Sequence, residues 1–338
     1  MLSPGLLVVT MPKRVLVLYY SQSGDVRRAL DSLVGPLREA EVELTWLRLD
    51  TVPDYPFPWS PGSFFDCMPE SANGEPPPAA PLEAWVETET ETENEGGDGA
   101  AIDPAQPFDL VIFGWQVWFL SPSLPVQAFF RTPEAKLLRG ARVVSVVCCR
   151  QMWQRAHAQM RALIHEAGGV LTDSVVITHQ GSTLASYLTA PRLMLTGRRG
   201  GTALLPDAGV ADDDIDAVAR FGRRLRDTRA NWVDAEPTPL LAGMGAAEVK
   251  TRALLPELVG VGLITTFARL ARRFGPPGSL ARRPAIGLFV LLLVALIPPV
   301  LILSALLTPL LSRVFAGRLD RYRRGVADGA APIRQPIR

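Results

Sequence analysis

Apolar positions along the first two thirds of the chain follow two alternating rhythms. Residues 14–20 (RVLVLYY) are an unbroken run of aliphatic, β-branched and aromatic side chains, the pattern of a strand buried on both faces. Beyond Ser21-Gln22-Ser23-Gly24-Asp25 the spacing changes, and Val26, Leu30, Leu33, Val34 and Leu37 recur at helical intervals. Residues 42–49 alternate as a second strand, and residues 109–115, 141–149 and 170–178 supply three more. Helical patterns run over 125–131 with 135–138, over 152–167 up to Gly168-Gly169, and over 212–229. The last carries acids in its first turn and arginines in its last, as the helix dipole favours. Strand and helix alternate five times, which predicts an α/β fold with an open five-stranded parallel sheet and helices on both faces.

Two stretches break the rhythm. Residues 51–107 hold Pro53, Pro56, Pro58, Pro61 and an alternating Glu/Thr run from Glu87 to Glu93, too long for an ordinary loop between strands. Its low-complexity half, about residues 72–106, is expected to be disordered. The second stretch follows residue 230. Residues 254–274 are apolar with arginines gathered at the end, and residues 284–312 are 29 positions without a charge. As a helix that run is about 43 Å long, against a hydrocarbon core of about 30 Å, so a membrane segment is expected. Pro298-Pro299 divides it into halves too short to cross alone. A re-entrant hairpin is expected rather than a single kinked span, because it keeps Arg269, Arg272, Arg273, Arg282 and Arg283 on the same side as Arg313, Arg318, Arg321, Arg323 and Arg324. The expected organisation is a sheet domain over 1–230, a linker over 231–253, amphipathic and membrane-embedded helices over 254–325, and a basic flexible tail over 326–338.

Composition sharpens this division. Of 338 residues, 48% are hydrophobic, which excludes a mostly disordered chain. The formal charge of +1 conceals −9 over residues 1–240 (21 Lys and Arg against 30 Asp and Glu) and +10 over 241–338 (14 against 4). A basic end beside so long an apolar run points to anionic membrane lipid rather than nucleic acid. Cys67, Cys148 and Cys149 form no disulfide framework, which suits a reducing compartment. No metal-ligand motif is present, so no metal is expected. Residues 6–9 are too short for the core of a signal peptide.

The candidate chemistry lies in the first strand–helix turn. A buried strand delivering Ser21, Gln22, Ser23 and Gly24 to a helix start makes an anion site from outward N–H groups and hydroxyls. It is neither a Walker A loop nor a GxGxxG turn. A Ser-capped surface turn is the plain alternative. The spacing Tyr-Ser-x-Ser-Gly resembles the FMN phosphate loop of flavodoxins, although Val26 replaces a common threonine and Asp25 places a carboxylate beside the phosphate. In a flavodoxin-like sheet the second and third cofactor loops follow strands three and four. Here they are Gln116, Val117, Trp118 and Phe119, expected to wall the flavin ring, and Cys149 with Arg150.

Together with Tyr55-Pro56-Phe57-Pro58-Trp59, Pro122-Ser123-Leu124-Pro125, Gln151-Met152-Trp153 and Gln180-Gly181, these loops resemble the flavodoxin-like family labelled dialkylresorcinol condensing enzyme. The resemblance covers about residues 13–228. It implies a bacterial FMN-dependent oxidoreductase that aromatises a cyclohexanedione-type ring bearing alkyl chains, in company with a ketosynthase or acyl carrier. A flavin is needed because side chains cannot accept two electrons. His179, at the end of strand five, is a candidate base, and Arg150 a candidate holder of a carboxylate or enolate. The alternatives are a one-electron carrier and a flavin-free membrane scaffold. The expected location is the cytoplasmic face of the bacterial inner membrane, anchored by residues 284–312.

Overall fold

In the computed structural model, which describes residues 12–87, 106–181, 183–203, 205–314 and 317, the apolar runs pair as predicted. The strands are β1 (Lys13–Tyr19), β2 (Val42–Arg48), β3 (Glu83–Val86), β4 (Leu110–Trp118), β5 (Ser121–Pro122), β6 (Arg142–Cys149) and β7 (Val170–Thr178). The helices are α1 (Asp25–Arg38), α2 (Pro61–Asp66), α3 (Met68–Asn73), α4 (Leu124–Phe129), α5 (Gln154–Glu166), α6 (Thr183–Thr196), α7 (Asp212–Asp216), α8 (Ala219–Asp227), α9 (Leu254–Phe274) and α10 (Arg283–Val314). Five parallel strands lie in the order β2-β1-β4-β6-β7. This is the flavodoxin-like order, and its direction reverses between β1 and β4.

Period-two alternation sends each strand's side chains to two separate cores. Val15, Val17, Ile112, Val144 and Val146 pack under α1 and α8. Leu16, Leu18, Val111, Phe113, Val143 and Val147 face α4 and α5. Both faces are covered, which is why these strands read as continuous apolar runs.

Four expectations need correction. The insertion is not disordered from residue 72: β3 pairs antiparallel with β2, Trp85 stacks on Trp46 at 6.1 Å, and Glu87 accepts from Trp46 Nε1 at 2.9 Å. Edge pairing and aromatic stacking supply the burial that composition alone did not reveal. Residues 88–105, with most of the Glu/Thr run, lie outside the described residues, as do 318–338 with the expected tail. Residues 231–253 are not a free linker. Trp232, Leu240, Leu241 and Val249 are buried, Asp173 accepts from the amides of Leu240 and Leu241 at 3.0 and 2.8 Å, and Val176 N donates to Ala246 O at 2.8 Å. The segment therefore covers the open edge of β7, satisfying groups that an edge strand exposes. The helix expected over 212–229 is two, α7 and α8, joined by a tight turn in which Val218 N bonds Ile215 O.

The fourth correction concerns the C-terminal end. α10 runs unbroken through Pro298 and Pro299 for 32 residues, about 48 Å, so the run does not fold back on itself there. A proline removes one amide donor, and an apolar helix tolerates that loss through local adjustment. The hairpin that does form joins α9 to α10 across Gly275–Ser279, and Ser304 Oγ donates to Arg252 O at 2.7 Å near its open end. α9 is docked on the sheet domain: Ile264, Phe267 and Ala268 pack with Met68, Ala72 and Leu120, and Phe289 of α10 joins them. α10 instead leaves Leu291, Val294, Ile302, Leu306 and Leu310 exposed. Both helices are long and apolar enough to cross a membrane by length and composition.

Candidate functional site

The carboxyl ends of β1, β4, β6 and β7 converge at the point where strand order reverses, the place where open α/β sheets bind ligands. The first loop departs from β1 and turns at Gly24, whose φ of 85° is the left-handed conformation that glycine adopts without strain. Nothing lies within 4 Å of where a Cβ on Gly24 would sit, so the backbone is open to a ligand on that side. Ser21 Oγ accepts from Arg27 N at 3.1 Å and so secures the start of α1. Gln22 N donates to Gln116 Oε1 at 3.2 Å, joining the first loop to the second, and Gln22 Nε2 donates to Pro56 O at 3.2 Å.

Asp25 and Val26 are explained by their surroundings. Val26 is fully buried, and a Cβ on Gly114 of β4 would lie 2.7 Å from its Cγ1. It is a packing residue between α1 and the sheet and no part of the ligand face. Asp25 is 1% exposed, and its Oδ1 lies 2.6 Å from Arg199 Nη1 and 3.8 Å from Arg28 Nη1. Its Oδ2 accepts from Ser23 Oγ at 3.3 Å, while Arg199 also donates to the Ser23 carbonyl oxygen. The carboxylate that looked unfavourable beside an anion is thus already paired.

The second loop departs from the expected ring wall. Trp118 is 6% exposed, with its ring 5.7 Å from Tyr20, 5.1 Å from Tyr55 and 5.3 Å from Trp59. Phe119 and Leu120 both have positive φ, 47° and 60°, and form the two-residue turn between β4 and β5. Phe119 then packs 5.2 Å from Phe64 of α2. Trp118 and Phe119 are therefore core of the insertion rather than a wall facing a cofactor. Extending β4 to Trp118 carries them past the mouth, while Gln116 and Val117 stay half-buried at it.

On the third loop Cys149 is buried beside Cys148, and burial pushes both thiols well above their ordinary range. Burial of this kind disfavours the thiolate that a condensing step would use as nucleophile. The Arg150 guanidinium stacks 3.9 Å from the Tyr187 ring of α6, and burial lowers its pKa. His179 N donates to Cys149 O at 2.9 Å, which fixes the end of β7 against the third loop. Burial pushes the His179 imidazole down to about 4; Asp25 opposes this, while Arg150 and Arg199 add to it. Gln22 Oε1, Arg150 Nε and His179 Nδ1 are all buried without a partner.

Loop chemistry revealed Ser21, Ser23, Gly24, Arg150 and His179, but not Arg199, Tyr187 or Glu257. Arg199 reaches the first loop from 174 residues away, and its only local signal is the flanking glycines Gly197, Gly200 and Gly201. Glu257 of α9 is 5% exposed and accepts from Arg155 N at 2.6 Å at the start of α5. Arg155 in turn donates to Ser121 Oγ at 3.0 Å, so α9 braces both the second and third loops. Among the described residues no cluster of three or more His, Cys, Asp or Glu could hold a metal ion.

His179 provides a pH test. An unfolded imidazole takes up its proton near 6.5 and the folded one near 4, so stability falls as pH drops through that window. The His179 ring resonances are expected to titrate with a midpoint about 4 by NMR, and His179→Gln to flatten the stability profile between pH 4 and 6.5. A midpoint at the ordinary 6.5 would show the ring to be solvated.

No family model and no curated protein matches the chain. Among solved structures, a flavodoxin from the domain Archaea is similar at 10% identity and a TM-score of 0.33, covering 64% of this chain and 97% of its own. A flavoprotein from Lactobacillus acidophilus NCFM in complex with FMN is similar at 20% identity and a TM-score of 0.30, covering 48% of this chain and 92% of its own. The apo-form of the flavoprotein from that organism matches at 18% identity and a TM-score of 0.31, covering 49% and 93%.

Proposed function

We propose that this chain is an FMN-dependent oxidoreductase held at a membrane, acting on a hydrophobic ring that carries alkyl chains. The carrying observation is that three buried atoms without a partner, Gln22 Oε1, Arg150 Nε and His179 Nδ1, lie just beyond the carboxyl ends of β1, β6 and β7. Buried polar groups without partners are costly to maintain, and a polar ligand would satisfy them. The residues fit FMN at its polar parts. Ser23 and Gly24 would hold the phosphate, and Gln116 and Arg150 the edge of the ring. Trp118 would not stack on it, because it is buried against Tyr55 and Trp59, and the half-buried Phe119 already packs on Phe64.

Bound FMN supplies the two-electron acceptance that no side chain here offers. His179 Nδ1 would take the proton released when a cyclohexanedione-type ring is oxidised to a resorcinol, a role that requires a bound anion to raise the imidazole from about 4. Arg150 would hold the developing enolate oxygen through its unpartnered Nε, where a low-dielectric setting strengthens the attraction between opposite charges. The protonated cysteines favour this aromatisation over a condensation, which leaves carbon–carbon bond formation to a ketosynthase or acyl-carrier partner. The exposed apolar side of α10, followed in sequence by Arg313, Arg318 and Arg321, suits insertion into anionic lipid on the cytoplasmic face of a bacterial inner membrane.

The full-length chain is expected to sediment with membranes until detergent is added, and the solubilised protein to take up FMN with flavin absorbance. Anaerobic addition of an alkylated cyclohexanedione should bleach that absorbance. A protein that stays colourless after reconstitution overturns the redox reading in favour of a scaffold. A coloured protein that exchanges electrons with reductases and ignores the ring points to an electron carrier.

A further inference from the structure

We infer that Arg199 is the phosphate-selecting residue of this site and that Asp25 holds it in place. The inference rests on the FMN reading above and adds to it a residue that the loop motif does not contain.

A carboxylate on the first residue of α1 would repel a phosphate bound at that helix start. Asp25 does not act as a free charge, because Arg199 Nη1 meets it at 2.6 Å with both carboxylate oxygens engaged. The guanidinium carries five N–H donors in a planar fork. Among the described residues, Nη1 bonds Asp25 and Nη2 bonds the Ser23 carbonyl oxygen, which leaves three donors. The Arg199 side chain is 36% exposed, while Asp25 beneath it is 1% exposed. The fork is therefore clamped on its inner side and open on its outer side, next to the left-handed Gly24.

The surrounding backbone is built to keep that posture. Ala208 N donates to Arg199 O at 2.7 Å, and Gln180 N donates to Gly209 O at 3.0 Å, which ties the segment to the end of β7. Gly209 has a φ of 90°, and a Cβ there would meet Arg199 Nη1 at 2.8 Å and Asp25 Oδ2 at 3.2 Å. Only a glycine lets the chain pass this closely over the ion pair. Arg28 also lies 3.8 Å from Asp25, and Arg150 and Arg199 both act on the His179 ring, so cations outnumber the one buried carboxylate at this place. A doubly charged phosphate monoester suits that balance, and an uncharged ligand gains nothing from it.

The test is a pair of titrations on the full-length protein in detergent, one with FMN and one with riboflavin, which lacks the phosphate. Arg199→Gln is expected to weaken FMN about tenfold to a hundredfold, the range for losing a hydrogen bond to a charged group, and to leave riboflavin affinity within about threefold. Arg199→Lys should recover part of the FMN preference through charge without the fork. In the wild type, rising salt should weaken FMN and not riboflavin. Should Arg199→Gln fail to fold, the lysine variant and the wild-type salt dependence carry the same discrimination. Equal losses for both ligands, or no loss for either, overturn the role of Arg199 alone. A wild type that binds riboflavin but shows no preference for FMN does the same. A wild type that binds neither flavin overturns the cofactor reading and this inference with it.

Discussion

Replacing Arg282 by methionine should destabilise the docking of the C-terminal helix pair by about 3–5 kcal/mol, the usual cost of removing one member of a buried ion pair. Arg282 sits in the turn between α9 and α10 and is fully buried. Its Nε lies 2.7 Å from Asp66 Oδ1, and its Nη1 and Nη2 grip Glu70 at 2.8 and 3.0 Å. It also donates to the Asp66 carbonyl oxygen, and Gly278 N donates to Asp66 Oδ2 at 2.7 Å. Methionine retains much of the volume but leaves two carboxylates facing a buried site, with Arg272 as the remaining cation, 3.4 Å from Glu70. Adding Asp66→Asn and Glu70→Gln to Arg282→Met should recover part of the loss, because an unpaired amide costs less to bury than an unpaired carboxylate. Thermal unfolding in detergent and protease cleavage near Gly275–Ser279 would measure both effects. A single variant that melts within about 1 kcal/mol of the wild type would show that the network is worth no more than a surface pair.

Replacing Gly222 by alanine is expected to cost about 3 kcal/mol or more, beyond the ordinary range for overpacking. Gly222 lies on α8, where a Cβ would come 1.9 Å from the Leu33 carbonyl oxygen of α1 and 2.9 Å from its carbon. Backbone cannot rotate away as a side chain can, so the two helices must separate. Separation would open the cluster in which Phe221 and Leu225 pack with Leu30, Leu33 and Leu37. Alanine's higher helix propensity, worth about 1 kcal/mol, offsets only part of this. Gly35 is the control, since nothing lies within 4 Å of a Cβ there. Gly35→Ala should stabilise by about 0.5–1 kcal/mol. Chemical denaturation of the two variants side by side gives the comparison, and equal midpoints would contradict the close helix contact.

The parallel sheet was legible because its signal is local. A strand buried on both faces must be apolar along most of its length, and β1 from Val15 to Tyr19, β4 from Leu110 to Trp115 and β6 from Val143 to Cys149 are so apart from Gly114 and Ser145. The first anion loop was legible for a similar reason: Ser23 and Gly24 sit between a strand and a helix, and that order alone places their backbone at a helix start. The aromatic loop misled. Trp118 and Phe119 suit a flavin wall by residue type, but whether a tryptophan faces a ligand or other rings depends on Tyr55, Trp59 and Phe64, and their approach is a long-range fact.

The two stretches outside the sheet pattern taught the same lesson. Each taken alone looked like an appendage, one Pro-rich and acidic, the other apolar and basic. Their partnership lies in Asp66, Glu70 and Glu75 of one meeting Arg272 and Arg282 of the other, across more than 190 residues of sequence. Local composition cannot report such a pairing, because the partners lie far apart in the chain.

Residue order by itself determined the five-stranded parallel core, the helices α1, α4 and α5, the turn that carries Ser21 to Gly24 and the apolar length of α10, since periodicity, turn chemistry and hydrophobic length act within a few residues of one another. Tertiary structure decided that Asp25 is paired with Arg199, that Trp118 turns inward, that residues 231–253 seal the edge of β7 and that α9 packs on Met68, Ala72 and Leu120 of the domain. Each of these rests on burial and charge pairing between distant segments, and those energies exist only once the chain has brought the segments together.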